Sequence, residues 1–257
     1  MTRWRVCALV AGLAAGLAIV TDAGATNVLL LGDGGGDTQV QQALQNAGHT
    51  VTNAGLYYNW DGVTPGTAGF NLIVALDGTN YGSDFTAGAK AALSAFVAGR
   101  GSVLFTEWTA WDVEQGNKTQ DPTGNLLPTV SPAGAYGYGD TWTVVNPSDP
   151  LVAGVPASWS DAAGWSTVTA KPGAVVLITG TSGNPLFSYW TAPGGRVFHL
   201  NHDMTYSTST INANALQLIV DVAGTSAPNP IPALGRVGLA AMAGLLGLAA
   251  LLLLKRR

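Results

Sequence analysis

The sequence predicts an α/β fold: a mostly parallel sheet with helices on both faces and a β-hairpin late in the chain. Three observations carry this. Short, continuous apolar runs recur and stop at turns bearing Gly or Asp, as strands buried on both faces do. The segments between them place apolar residues at helical spacing and end at glycine. Two later strand-like runs flank Thr191-Ala192-Pro193-Gly194-Gly195, a turn-forming stretch.

Taken in order, residues 27–31 form a buried strand that enters the tight turn Gly32-Asp33-Gly34-Gly35-Gly36. Asp37 caps a helix carrying Val40, Ala43, Leu44 and Ala47 on one side, and Gly48 ends it. Residues 50–53 read as a second strand and residues 70–76 as a third, ending at Asp77-Gly78. Ser83 or Asp84 caps a helix through Ala89, Leu93, Phe96 and Val97 to the stop Gly99-Arg100-Gly101, and residues 102–106 form a fourth strand. Residues 107–140, rich in Gly, Pro, Asn and Thr, read as an irregular excursion. Beyond it come a strand at 141–145, a helical turn at 149–156 and a buried strand at 174–179. The hairpin pairs 186–190 with 196–200, and an amphipathic helix at 211–222 turns Leu216, Ile219 and Val220 inward.

This order of motifs resembles the class I glutamine-amidotransferase-like superfamily, in particular its ThuA-like branch. The stretches that carry the resemblance are Val28-Leu29-Leu30-Leu31-Gly32, Phe70-Asn71-Leu72-Ile73-Val74, Phe96-Val97-Ala98-Gly99-Arg100-Gly101 leading into Ser102-Val103-Leu104, Asp149-Pro150-Leu151-Val152, and Gly195-Arg196-Val197-Phe198 followed by Asn201-His202-Asp203. It spans residues 27–222 and implies a three-layer, flavodoxin-like sheet. In catalytic relatives a Cys nucleophile occupies the turn after the fourth strand. That turn here reads Phe105-Thr106-Glu107-Trp108-Thr109, and the chain's single Cys is Cys7. Thiol amidotransferase chemistry is therefore excluded.

The strand ends collect the candidate chemistry. Asp33, Asp77, Glu107, His202 and Asp203 each follow a predicted strand, so they are expected on one sheet edge, the ligand edge of parallel α/β sheets. His199 and Asn201 share a strand face, with Leu200 opposite. Glu107, His202 and Asp203 are the candidate catalytic groups; Asp33, Asp77, Trp108 and His199 are candidate ligand contacts. Two His with carboxylates suit a divalent metal, acid–base work, a small-molecule site or a purely structural polar cluster. The loop at 32–37 reads as a tight turn, with phosphate or calcium binding as alternatives; its two Asp and lack of Lys oppose phosphate. Aromatic residues crowd the loops, notably Tyr57-Tyr58-Asn59-Trp60 and Trp108 to Trp111. They either seal the core or bind the apolar face of a glycan.

Both ends of the chain speak to location. Arg3 and Arg5 precede an apolar run at 6–20, and Ala23-Gly24-Ala25 offers a cleavage site, so residues 1–25 read as a signal peptide. Residues 26–224 form one domain without cysteine; residues 225–236 are a linker and sorting motif; 237–254 is an apolar helix of about 27 Å, enough to span a bilayer core; and 255–257 is a cytoplasmic basic tail. Ile231, Pro232, Ala233 and Leu234, followed by the helix and the terminal Arg cluster, resemble the Ile-Pro-Thr-Leu class of sorting signals. These are processed by exosortase-type enzymes of Gram-negative bacteria. Ala233 replaces the Thr of that motif, and Val237-Gly238 stands in place of its usual Trp-Gly. Between Thr26 and Pro230 five basic residues face 14 acidic ones, a net charge of −9, which opposes nucleic-acid binding. The expectation is an exported, membrane-anchored or surface-sorted binding domain without catalysis. Its ligand would be a small molecule, a glycan or a neighbouring protein, and the sequence points to no particular cofactor. The alternative is a hydrolase or metal-dependent enzyme built on the strand-end cluster.

Overall fold

The computed structural model describes residues 24–118, 127–192 and 194–226. The signal-peptide run, the sorting motif, the apolar helix at 237–254 and the basic tail lie outside these. Among the described residues no helix is long and apolar enough to cross a membrane.

The centre is β1 (Asn27–Gly32), whose residues 28–32 are buried. It pairs in parallel with β2 (Thr50–Leu56) on one side and β3 (Leu72–Ala75) on the other, with Leu29 opposite Thr52 and Ile73. Next to β3 lies β4 (Ser102–Thr106), buried throughout, and next to β4 lies β11 (Arg196–Leu200), also parallel. The second half of the sheet is antiparallel. β10 (Pro185–Thr191) pairs with β11, placing Thr191 opposite Arg196; then come β9 (Val175–Gly180), β6 (Tyr136–Val144) and β7 (Ser158–Ser166). The full order is β2-β1-β3-β4-β11-β10-β9-β6-β7. A separate pair joins β5 (Thr129–Val130) to β8 (Thr169–Ala170).

Alternation along the central strands divides the core into two. Val28, Leu30, Leu72, Val74, Leu104, Phe198 and Leu200 face α1 (Asp37–Asn46), through Val40 and Leu44, and α4 (Ala213–Ser226), through Leu218, Ile219 and Val222. Leu29, Leu31, Ile73, Val103, Phe105 and Val197 face α2 (Ala87–Ala98), through Leu93, Phe96 and Val97. Each such side chain, fully withdrawn from water, stabilises the fold by about 2 kcal/mol. The five parallel strands therefore anchor the domain.

Several expectations need correction. The cap of α2 is Thr86, whose hydroxyl accepts from the Ala89 amide, rather than Ser83 or Asp84. Asp37 is the first residue of α1; its carboxylate reaches back to the amides of Asp33 and Gly34 instead of capping the helix. The stretch 107–140 is not wholly irregular: it contains α3 (Thr109–Gln115), closed by Gly116 at φ +74°, and the start of β6. β6 begins earlier than expected and bulges between Tyr138 and Asp140, where Gly139 takes φ +67°. β7 was not anticipated, and α4 continues to Ser226, past the expected end at 222.

Candidate functional site

Each candidate carboxylate follows a parallel strand, so Asp33, Asp77, Glu107 and Asp203 emerge at the C-terminal edge of β1, β3, β4 and β11. Their surroundings differ. Asp33 is fully buried and accepts from the amides of Gly35 (2.9 Å), Gly78 (2.7 Å) and Thr79 (2.6 Å), lacing the turn after β1 to the turn after β3. Burial pushes its pKa up against the downward pull of those three donors. The amides of residues 33–35 are thus bonded to Asp37 and Asp33, and a Cβ on Gly35 would stand 2.1 Å from the hydroxyls of Thr79 and Thr205. The glycine loop is a filled turn with no free phosphate cradle.

Asp77 sits in a buried ion triad. Its Oδ2 accepts from Thr109 Oγ1 (2.9 Å) and lies 2.9 Å from Lys118 Nζ, which also meets Asp112 Oδ2 at 2.6 Å. Asn117 donates to Asp112, and the Lys118 ammonium lies 5.1 Å from the Tyr57 ring centre. Burial lifts Asp77 to about 7, opposed by Lys118 and reinforced by Asp112. The Thr109 hydroxyl is spent on Asp77 and the Thr106 carbonyl, which leaves it no base to act as a nucleophile.

His199 does not join the strand-end cluster. It is fully buried on β11, with Nδ1 2.8 Å from Thr129 Oγ1 and Nε2 3.2 Å from the Glu107 carbonyl. Burial lowers its pKa to about 4, so it is neutral and structural. Asn201 clasps β7: its amide group donates to the carbonyls of Ser166 and Pro185 and accepts from the Ser166 amide. His202 Nε2 faces Asp161 Oδ2 at 2.9 Å and Nδ1 donates to the Asp203 carbonyl, so both ring nitrogens are occupied. Asp203 accepts from the amides of Thr205, Tyr206 and Ser207 and from the Ser207 hydroxyl, fixing the loop after β11. Among the described residues no group of three or more His, Cys, Asp or Glu is arranged to hold a metal ion.

Glu107 is the exception. It is fully buried, and neither carboxyl oxygen has a hydrogen bond of good geometry. Burial first, and the neighbouring Asp203 second, raise its pKa well above the ordinary carboxyl range. The adjacent Trp108 is 4% exposed and its indole Nε1–H is buried without an acceptor. Trp108 forms the base of an aromatic cup of about 170 Å3 with Tyr81, Trp111, Tyr136, Tyr138 and Tyr206. Its ring centre lies 5.9 Å from Tyr81, 5.7 Å from Trp111, 5.8 Å from Tyr136 and 5.6 Å from Tyr206. Tyr136, Tyr138 and Tyr206 are 55%, 53% and 45% exposed, so the mouth is open.

Local structure explains the cup. Trp108 and Trp111 stand three apart at the start of α3 and project together. Tyr136 and Tyr138 are two apart on β6 and share a face. Tyr81 and Tyr206 come from the loops after β3 and β11. The sequence marks Trp108, Trp111 and the four tyrosines among its many aromatics but does not group them; the Tyr136-Gly137-Tyr138-Gly139 alternation is the available signal. Tyr57 and Trp60, by contrast, are core residues, their polar atoms donating to the carbonyls of Asn80, Ser83 and Pro65.

No protein-family model matches the chain, and no curated protein does. Solved structures match in fold. The chain aligns with a β-galactosidase from Rahnella sp. R3 (TM-score 0.56, 14% identity) over 79% of its own length, but spans only 32% of that enzyme. It matches all of a cytoplasmic protein from Salmonella typhimurium LT2 (TM-score 0.61, 15% identity, 79% of this chain). It also matches 90% of a ThuA-like protein from Parabacteroides merdae (TM-score 0.56, 14% identity, 79% of this chain). The chain therefore shares its fold with ThuA-like proteins, with Glu107 and Trp108 at the turn after the fourth strand.

Proposed function

We propose that the chain is an exported binding protein. On this reading its domain is a three-layer, flavodoxin-like scaffold that takes a small ligand in the aromatic cup and does not transform it. The observation that carries this is the cup itself: six rings around a cavity with an open mouth, one of them Trp108, which also holds a buried indole N–H with no acceptor among the described residues. Buried donors are normally paired, and an unpaired one at a cavity implies a partner from outside. A volume of about 170 Å3 lies below the range for drug-sized ligands, so the cup takes one small molecule or one end of a larger one. Fold likeness to enzymes lends no activity.

The export signal, the membrane helix at 237–254 and processing at Ile231, Pro232, Ala233 and Leu234 by an exosortase-type enzyme belong to the same proposal. They rest on the sequence pattern. Mass spectrometry of the native protein tests them: a chain keeping Met1 and Arg257 refutes both cleavages. The hydrolase alternative draws on the raised pKa of Glu107, which suits a general acid. A turnover screen on ester, amide and glycoside substrates separates the two readings. The binding reading predicts no turnover and saturable heat on titration of at least one ligand class. Tyr206→Ala should weaken that binding at unchanged melting temperature.

A further inference from the structure

The geometry of the cup selects among ligand classes. Its rings are not stacked in a plane. Trp108 meets Tyr81, Trp111, Tyr136 and Tyr206 at interplanar angles of 51°, 69°, 83° and 84°, and Tyr136 meets Tyr138 at 78°. A sugar ring needs one flat face with hydrogen-bonding groups around its edge. Walls turned in several directions instead suit a compact group that offers apolar contacts on every side.

The electrostatics point the same way. None of the six lining residues carries positive charge. Three of them are tied to the carboxyl pair behind the cup. Trp108 follows Glu107 in the chain, Tyr206 donates its amide to Asp203, and a Cβ on Gly164 would stand 2.9 Å from Glu107 Oε1 and 3.3 Å from Tyr138 Cε1. The Trp108 amide also donates to the carbonyl of Asp77. That residue belongs to a triad of two carboxylates and one ammonium. The negative faces of the rings, with no cation among the lining residues, favour a cation over a neutral molecule or an anion.

We propose that the cup binds a methylated ammonium group, that of a choline-type compound, with the ring faces receiving the methyl groups. The Trp108 Nε1–H supplies a donor for an oxygen near the ammonium. This inference rests on the reading of the cup as a binding site and names the chemistry of its ligand.

Calorimetric titration of the full chain in a polyoxyethylene detergent tests it. The probes are choline, its uncharged isostere 3,3-dimethyl-1-butanol and glucose. Choline should bind at least tenfold more tightly than the isostere, and Tyr138→Ala, at a half-exposed position, should lose about tenfold affinity without a change in melting temperature. If choline also competes the protein off phosphatidylcholine vesicles, the source of the group is a lipid headgroup. If choline binds and the vesicles do not, it is the free compound. Equal binding of choline and the isostere overturns the inference but leaves the cup a binding site for apolar groups. Glucose binding without choline binding also overturns it and returns the cup to sugars. Silence from all three overturns the inference together with the reading on which it rests.

Discussion

Two sets of buried polar side chains share the C-terminal edge of one sheet. In the first, Asp33, Asp77, Asp112 and Lys118 are held by backbone amides and by each other. In the second, Glu107 and Trp108 are also buried, yet among the described residues neither Glu107 carboxyl oxygen nor the Trp108 indole N–H makes a hydrogen bond of good geometry, Asp203 and the Met204 amide being the neighbours of the Glu107 carboxyl. Burial is thus the same and satisfaction differs: in the first set one oxygen, Asp77 Oδ1, lacks a hydrogen bond, whereas in the second both Glu107 carboxyl oxygens and the Trp108 N–H lack one of good geometry. A satisfied group is spent on the fold and has nothing left for a ligand. An unsatisfied one costs stability that folding alone does not recover, so its presence beside an open cavity marks the site. The two sets should respond to substitution in opposite ways.

The largest effect is expected at Lys118. Lys118→Ala leaves Asp77 and Asp112 facing each other in the core, and breaking a buried ion network in this way costs about 3–5 kcal/mol. Chemical denaturation should show that loss. The combined Asp77→Asn, Asp112→Asn, Lys118→Met variant should recover most of it, because no charge is left stranded. A loss below about 1 kcal/mol for Lys118→Ala would break the comparison, since the triad would not be structural.

Asp33→Ala comes next. It strands the amides of Gly35, Gly78 and Thr79, and unpaired buried groups cost about 1–3 kcal/mol each, reduced where water enters. A net loss of about 2–3 kcal/mol is expected, with ligand binding kept in the fraction that remains folded.

Glu107→Gln should behave differently. Little is lost, because the carboxyl has no hydrogen bond of good geometry to lose, and stability at pH 7 should stay equal or rise. The sharper readout is its pH dependence. A folded-state pKa above the unfolded 4.5 means that the native state holds more protons than the unfolded state as pH rises past 4.5. Its contribution therefore falls with rising pH, by up to about 1.4 kcal/mol per unit, until the folded pKa is passed. Asp77, lifted to about 7 by burial, has the same sign between 3.8 and 7. His199 runs the other way: its folded pKa of about 4 lies below 6.5, so it contributes stability above 6.5 that is lost as pH falls toward 4. The difference between wild type and Glu107→Gln isolates Glu107. A difference that does not change with pH would mean that folding leaves the Glu107 pKa unshifted, and one that grows as pH rises through the range below 4.5 would mean that Glu107 is ionised and paired in the fold.

The same contrast explains what was legible in the sequence. The parallel half is written in continuous runs such as Val28 to Leu31 and Ser102 to Thr106, because both faces are buried and every position must be apolar or small. β7, in the sequence Ser158-Trp159-Ser160-Asp161-Ala162-Ala163-Gly164-Trp165-Ser166, lies at the sheet edge and is half exposed, so its pattern resembles a loop. Topology brought Asp33, Asp77, Glu107 and Asp203 to one edge, and the spacing of strands predicted that much. Which of them would be satisfied depends on remote partners: Lys118 after α3, Asp161 on β7 and the amides of the next loop. His199 lies on its expected strand, but the partner of its ring, Thr129, is 70 residues away and no local pattern shows it. The cup joins Tyr81 to Tyr206 across 125 positions, with ring centres 5.3 Å apart, and no local pattern announces a contact of that range.

The smallest effect is expected at Trp108, and there it is the smallness that discriminates. An ordinary buried Trp loses about 3–5 kcal/mol when cut to Ala because a large cavity opens. Trp108→Phe removes less volume and keeps an aromatic ring among Tyr81, Trp111, Tyr136 and Tyr206. The lost ring atoms cost about 1 kcal/mol. Against this, the substitution removes a buried N–H that has no acceptor, whose desolvation penalty is about 1–3 kcal/mol. The two nearly cancel, and the melting temperature should move by only a few degrees in either direction. Ligand affinity should fall by about tenfold, the worth of one hydrogen bond of about 1.4 kcal/mol. A Trp held in place for the fold gives the reverse pattern, a clear loss of stability with no change in affinity. If Trp108→Phe behaves that way, its indole has a partner within the fold and the contrast between the two polar sets fails at the residue that defines it.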